Sequence, residues 1–448
     1  MTSDHGTRDP GGNPGGRTAR SVSSRAAWGI ADQAFSSATN FALSAIVARS
    51  VTPEAFGGFA LVFATYIIAL GVARSVNTLP LLVRFSGVDD QEWRDATTSA
   101  TGTALAAGTA GGLVCAVAAI VFPTTATALL ALSVTLPLLL LQDTWRHAFL
   151  ARGSPSSAFL NDLGWAVFLV PALAVPIAIG SQSSAPFILS WGIAGGAAGL
   201  LGIAQSRIVP RPLECARWVR SQWDLGGRQL GEFAANTGST QSVMYAAGAI
   251  GGLTAAGALR GGQVLLNPLN VAQQGIWMVA IPEQVRTLKK HPWMLERVAA
   301  FLSLGLGTMA AMYTFGLVAF GDTVGPLLLG ETWPNAQPVV VPLGLAAVAT
   351  GLWVGPTVTL RAMQEAKRSL RVRLVYSVLI VAAGTAGLAL AGARGGAWGI
   401  AIAGLTSVPL WWWQLHAAVS GRSEVAVTPL RPIEVVAGEE IAADEEVV

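Results

Sequence analysis

Charged residues are scarce in this sequence. They make up 12% of its 448 residues, against roughly 25% in an ordinary soluble domain. A chain long enough for about three soluble domains could not cover its surface with so few charges. A soluble protein is therefore excluded, and an integral membrane protein is expected. Cysteine is nearly absent. Cys115 falls in an apolar run and Cys215 in a basic stretch, which excludes a disulfide framework and a cysteine zinc site. The four histidines, His5, His147, His291 and His416, are far apart and form no ligand pair, so neither a metal site nor a cofactor is expected. The phosphate-cradling P-loop, the G-x-S-x-G elbow and H-E-x-x-H are all missing. A net charge of +3 is too small to suggest a nucleic-acid partner.

What is present is apolar. Hydrophobic residues make up 52%, glycine occurs 51 times, and mean hydropathy is +0.54. Frequent glycine suits membrane helices that pack through small side chains. With a hydrocarbon core that takes roughly 20 helical residues, the sequence predicts twelve spans. They run at about 26–48, 57–83, 97–122, 126–145, 158–180, 186–206, 229–250, 254–281, 298–320, 338–360, 372–392 and 397–418. Residues 1–25 are polar, read as a disordered N-terminus, and lead into a retained first helix rather than a cleaved signal. Residues 419–448 read as an acidic disordered tail. Lys and Arg concentrate on one side of this layout: 24 of 28 fall in alternate connections, including 207–228, 282–297 and 361–373. By the positive-inside rule that side is cytoplasmic, as are both termini. The Trp411-Trp412-Trp413 run then belongs to an interfacial aromatic belt.

The basic stretch 207–228 divides six helices from six. The expected units are therefore an N-lobe of 26–206, an inter-lobe loop of 207–228 and a C-lobe of 229–418. An even helix count per half makes any duplication a parallel repeat. Asp32, Ser36 and Asn40 on the first helix match Glu232, Asn236 and Thr240 on the seventh in an i, i+4, i+8 pattern, so each set lines one helix face.

Four charged residues sit well inside spans: Asp32, Arg74, Glu232 and Arg260, with Asp162 near the start of its helix. Each costs at least ~2.5–3.5 kcal/mol at bilayer depth unless it meets water or a partner. Arg260, Gln263, Asn267, Asn270 and Gln274 form one polar stripe on the eighth helix. Lipid cannot satisfy these groups. Five of them exceed what helix association requires, so the stripe is expected to wall a cavity, with interhelical hydrogen bonding as the rival. Arg74 shares a face with Asn77 and Thr78, roughly 14 Å deep. Its rival role is a buried pair with Asp32. Asp32 and Glu232, with Asn40 and Asn236 beside them, are candidates for ion coupling, or else helix-end anchors. Arg286, Lys289 and Lys290 suit anionic headgroups.

The run WGIADQAFSSATNFALSAIVARSVTPEAFGGFAL resembles the first hairpin of polysaccharide-biosynthesis membrane proteins. These are O-antigen-type flippases of the multidrug/oligosaccharidyl-lipid/polysaccharide exporter (MOP) superfamily. LQDTWRHAFLARGSPSSAFLNDLGW resembles the link between their fourth and fifth helices, and AAGALRGGQVLLNPLNV their eighth. The resemblance spans about residues 25–420. It implies an all-α integral membrane fold, with two six-helix lobes around a central cavity that opens alternately to the two faces of the plasma membrane. It also implies a polyprenyl-diphosphate-linked glycan as substrate, with polysaccharide polymerase and chain-length machinery as partners beside the lipid bilayer. The related lipid II flippase places cavity arginines in its first, second and eighth helices. Arg74 and Arg260 match the second and eighth, whereas the first helix offers Asp32, and the chain lacks two further C-terminal helices. These departures favour a polysaccharide unit over a peptidoglycan precursor. Arg74 and Arg260 are expected to hold the diphosphate in turn, since roughly 16 Å of helix rise separates them. Gln263, Asn267, Asn270 and Asn77 are expected at the sugars. The competing readings are a cation-coupled drug antiporter, which would want Asp32 and Glu232 dominant in an anionic cavity, and a polymerase or ligase of lipid-linked glycans. The short outward connections, with only Asp322 and Glu331 charged in the longest, disfavour the enzyme.

Overall fold

Polar caps and glycines decide where this apolar chain turns. In the computed structural model, which describes residue 35 and residues 37–427, Thr52 accepts a hydrogen bond from the Ala55 amide at 3.3 Å. Pro53 follows at the first helical position, where its missing N–H leaves no bond unmade. Asp89 accepts from the Glu92 amide at 2.9 Å in the same way. Gly252 and Gly392 have φ of +77° and +57°. This left-handed region costs a glycine little, and each residue reverses a helix that would otherwise run on.

The resulting helices are α1 (37–50), α2 (Pro53–Arg84), α3 (Asp90–Val121), α4 (Ala126–Ala151), α5 (Pro155–Ala178) and α6 (Ala185–Ser206). After them come α7 (215–251), α8 (253–290), α9 (Leu295–Ala319), α10 (Trp333–Ala362), α11 (366–390) and α12 (393–427). Among the described residues, nine continuous segments are long and apolar enough to cross a bilayer, and two of these contain the reversals at Gly252 and Gly392. With α1, the described residues form twelve helices in this layout. Leu113, Val117, Ile120, Phe301, Met312 and Phe315 point outward and are exposed, an apolar surface that only lipid covers. The protein is an all-α, multi-pass membrane protein.

The expected loop 207–228 is helical from Cys215 onward and runs directly into α7. Its sequence alternates charged and apolar faces, so it lies against the bundle rather than hanging free: Trp218 and Gln222 are buried. Helices α2 and α7 each widen into one π-helical turn, at Arg74–Thr78 and Ala234–Gly238. The two are neighbours. A side chain at Gly226 would meet Val76 and Ser75, and one at Gly71 would strike the Phe233 ring.

Helices α1–α6 supply one buried core with Phe56, Phe59 and Trp191 and a separate one with Trp93, Trp145 and Phe149, and α8–α12 pack around further sets of buried side chains. At the end away from the basic connections, the halves meet closely. Arg49 donates to the Leu327 carbonyl at 2.7 Å, and Thr332 to the Ala48 carbonyl at 3.2 Å. A Cβ on Gly57 would lie 1.9 Å from the Leu253 carbonyl oxygen, so α2 and the start of α8 touch backbone to backbone. At the basic end Arg84 binds the Ser221 carbonyl, Gln222 and Asp224.

Candidate functional site

The polar stripe of α8 faces cavities along its whole length. At the basic end, Asn267, Asn270, Gln273 and Gln274 wall a cavity of about 660 Å³. Asn236 from α7, Thr350, Trp353, Thr357 and Arg361 from α10, Arg373 and Tyr376 from α11, and Trp411 from α12 complete it. Trp353 sits edge-on to Tyr376 with ring centres 4.8 Å apart, and 6.4 Å from Trp411. Deeper in the molecule, Asn267 also borders a smaller cavity of about 210 Å³ between the halves. This one is lined by Ser37, Asn40 and Ser44 of α1, Phe63 of α2, and Arg260 and Gln263 of α8.

Arg260 lies in that inner cavity. Its Nη2 donates to Ser44 Oγ at 2.9 Å, and its guanidinium carbon lies 4.0 Å from the centre of the Phe63 ring. Its Nε is buried and has no partner among the described residues. The flat face thus makes a cation–π contact, and the buried Nε–H is left without an acceptor among the described residues.

Arg74 has a different setting. Its Nη2 lies 2.6 Å from Asp143 Oδ1, and its Nε bonds both carboxylate oxygens at 3.1 and 3.2 Å. Asp143 is buried on α4, with His147 Nδ1 3.6 Å from its Oδ2. Nearby, Gln142 donates to Asp162 at 2.8 Å and Arg146 lies 3.5 Å from it. The guanidinium of Arg74 is thus held by a carboxylate inside the first half, and Arg74 is not among the residues lining these two cavities. The rival pairing with Asp32 falls on residues outside those described, and so does Asp32 itself. Asn77 is also turned away from these two cavities. It is buried at 1% exposure and donates to the Ala100 carbonyl at 3.0 Å, because the wide turn of α2 rotates it toward α3.

Glu232 pairs with two arginines, 3.7 Å from Arg361 and 3.5 Å from Arg373. Asn236 reaches the larger cavity and Asn40 the smaller. Of the tryptophan run, Trp413 is exposed as a belt residue would be, but Trp411 is buried and turns inward.

No family model and no curated protein matches the sequence. Solved structures do match in shape. An inward-facing multidrug resistance MATE family transporter of the MOP superfamily superposes with a TM-score of 0.66 at 14% identity, over 87% of this chain and 96% of that one. Lipid II flippase MurJ in an inward closed conformation gives 0.64 at 11% identity, over 88% and 90%. An outward-facing MATE family transporter gives 0.51 at 12%, over 90% and 96%.

The chain has the fold of these MATE and MurJ structures.

Within this fold, several site residues escape a reading of sequence. Asp143 lies in a span whose expected end, at 145, falls short of the observed Ala151, so its burial was invisible. Arg361 and Arg373 read as loop charges that fix topology, yet both turn to the cavity. Trp353 and Tyr376 carry no local signal at all. Only the three-dimensional meeting of α10 and α11 shows them.

Proposed function

We propose that this protein is a flippase that moves a polyprenyl-diphosphate-linked oligosaccharide across the plasma membrane by alternating access. The observation that carries this reading is the lining of the larger cavity. Amides supply both donors and acceptors for sugar hydroxyls. The Trp353, Tyr376 and Trp411 rings offer apolar faces with polar edges, the surface a pyranose ring stacks on. Arginines at the mouth and at Arg260 suit an anionic diphosphate, which cannot cross hydrocarbon unaided. The prenyl tail stays in lipid outside the bundle. In this reading residues 26–206 and 229–418 act as the two moving lobes, both termini are cytoplasmic, and polymerase and chain-length proteins receive the exported unit.

The other reading, a cation-coupled drug antiporter of the same superfamily, calls for an anionic cavity. Among the described residues lining the larger cavity none is acidic. The test is appearance of lipid-linked glycan in the outer leaflet of cells or vesicles that carry the protein. Gln263→Ala, Asn267→Ala and Asn270→Ala should each lower it at matched membrane abundance. Extrusion of a lipophilic cation with no glycan translocation would replace this reading with the antiporter.

A further inference from the structure

We propose that Arg361 and Arg373 form an anion site at the mouth of the larger cavity, and that Glu232 is its built-in counter-ion, displaced when a diphosphate binds. This rests on the lipid-linked reading of the cavity and names the residues that take the head group.

The two arginines come from either side of a tight turn. Helix α10 ends at Ala362, and α11 starts at Ala366 after Gln364 adopts a left-handed φ of +61°. Arg361 therefore leaves the last turn of one helix and Arg373 the second turn of the next. Both guanidinium groups converge on a single atom, Glu232 Oε1, at 3.7 and 3.5 Å. These distances exceed the roughly 2.7–2.9 Å of a charge-assisted hydrogen bond. The buried Arg74–Asp143 pair, at 2.6 Å with three hydrogen bonds, is closed by comparison. Two cations thus face one carboxylate oxygen at distances that leave room for shorter contacts to an anion's oxygens. A diphosphate brings several oxygens and more charge, and planar guanidinium forks match its geometry.

Access and depth also fit. The Glu232 side chain is 50% exposed and that of Arg361 39%, while Arg373 at 13% is the fixed wall. The site lies at the basic end of the bundle, where a lipid carrier holds its diphosphate level with other headgroups. Glu232 lies two residues before the wide turn Ala234–Gly238. That turn is docked on α11 by Ser377, whose hydroxyl donates to the Ala235 carbonyl. Displacing the carboxylate thus acts on the same turn that presents Asn236 to the cavity.

The test titrates the purified full chain in lipid nanodiscs with inorganic diphosphate and with farnesyl diphosphate, by calorimetry. Glu232→Gln removes the competitor and should tighten both by about fivefold, the scale of a part-exposed ion pair. Arg361→Gln and Arg373→Gln should each weaken both by about tenfold. Arg373→Lys, which keeps charge and bulk but loses the fork, should fall between. Should Arg373→Gln fail to fold, Arg373→Lys and Glu232→Gln carry the comparison. Unchanged or weaker binding in Glu232→Gln overturns the counter-ion role, and unchanged binding in the arginine variants overturns the site. Farnesyl diphosphate binding at least as tightly as inorganic diphosphate supports a lipid carrier, and binding of inorganic diphosphate alone overturns it. Glycan export measured in the same variants separates the two readings. Export that persists without diphosphate binding at these residues removes the site and leaves the flippase. Diphosphate binding that shifts as expected, in a chain that exports no lipid-linked glycan, removes the flippase and leaves the site.

Discussion

Two arginines on the same sequence pattern have opposite fates. Arg74 is locked to Asp143, so Arg74→Ala leaves a buried carboxylate without its partner. The expected loss is roughly 2–4 kcal/mol, below the fully buried case because the Arg74 side chain is 37% exposed. Thermal unfolding in detergent should show it. The double change Arg74→Met with Asp143→Leu should recover most of the loss, since no uncompensated charge remains. A double variant that is stable but does not transport would return Arg74 to the substrate path. Arg260 rests on Ser44 and Phe63 and has no carboxylate within salt-bridge distance among the described residues. Arg260→Ala should therefore change thermal stability little and cut glycan export by about tenfold, the scale of one lost charge-assisted contact. Normal export in that variant would reduce Arg260 to packing. Sequence reading found both arginines because an ionisable group inside a span stands out. It could not tell them apart, since the distinction lies in Asp143, a residue 69 positions away from Arg74.

At the level of helices, α2 and the start of α8 make a close contact. Gly57→Val would drive a side chain into the Leu253 backbone and should cost about 1–3 kcal/mol, as overpacking does. Cysteines placed at 54 and 254, whose native side chains bond at 3.4 Å, should cross-link readily in the parent and poorly in Gly57→Val. Equal cross-linking would mean that this contact is not held by the glycine. At the other end, the Arg84 hydrogen bond and charge hold the Asp224 carboxyl below the usual carboxylate range. A lowered carboxylate contributes its stabilisation above the usual range and loses it as pH falls through the lowered value. A spin-label distance between α2 and residues near 224 should thus lengthen only on strong acidification, and Asp224→Asn should remove that acid limb. A distance insensitive to acid in both forms would dismiss the latch. These helices were legible because hydropathy and glycine carry the signal locally. The π-helical turns were not, because an extra residue in a turn leaves the apolar periodicity almost unchanged over five positions.

Across the whole molecule, alternation of basic connections matches the ends at which the helices turn, and this follows from composition alone. Reporter fusions at residues 215 and 325 should report opposite sides of the membrane; agreement between them would overturn the twelve-pass layout. The two-lobe layout was also legible, from the even helix count. The cavity lining was legible only on α8, where one helix presents five polar groups in register. Its opposite wall draws single residues from α10, α11 and α12, and no local pattern marks a residue that matters only through its neighbours from elsewhere in the chain.

The helical continuation of residues 215–233 into α7 has a mechanical consequence. A rod of about 37 residues is roughly 55 Å long, well beyond a hydrocarbon core of about 30 Å. The connection between the halves is therefore a lever arm and not a tether. A slack linker would let each half rock independently. Because the arm is docked on α2 through Arg84 and its start on α3 through the Arg211 amide, a stiff arm would pass any tilt of α7 to the feet of those helices. The wide turn at Ala234–Gly238 is the natural fulcrum, since a π-helical turn is where a helix most readily changes its bend.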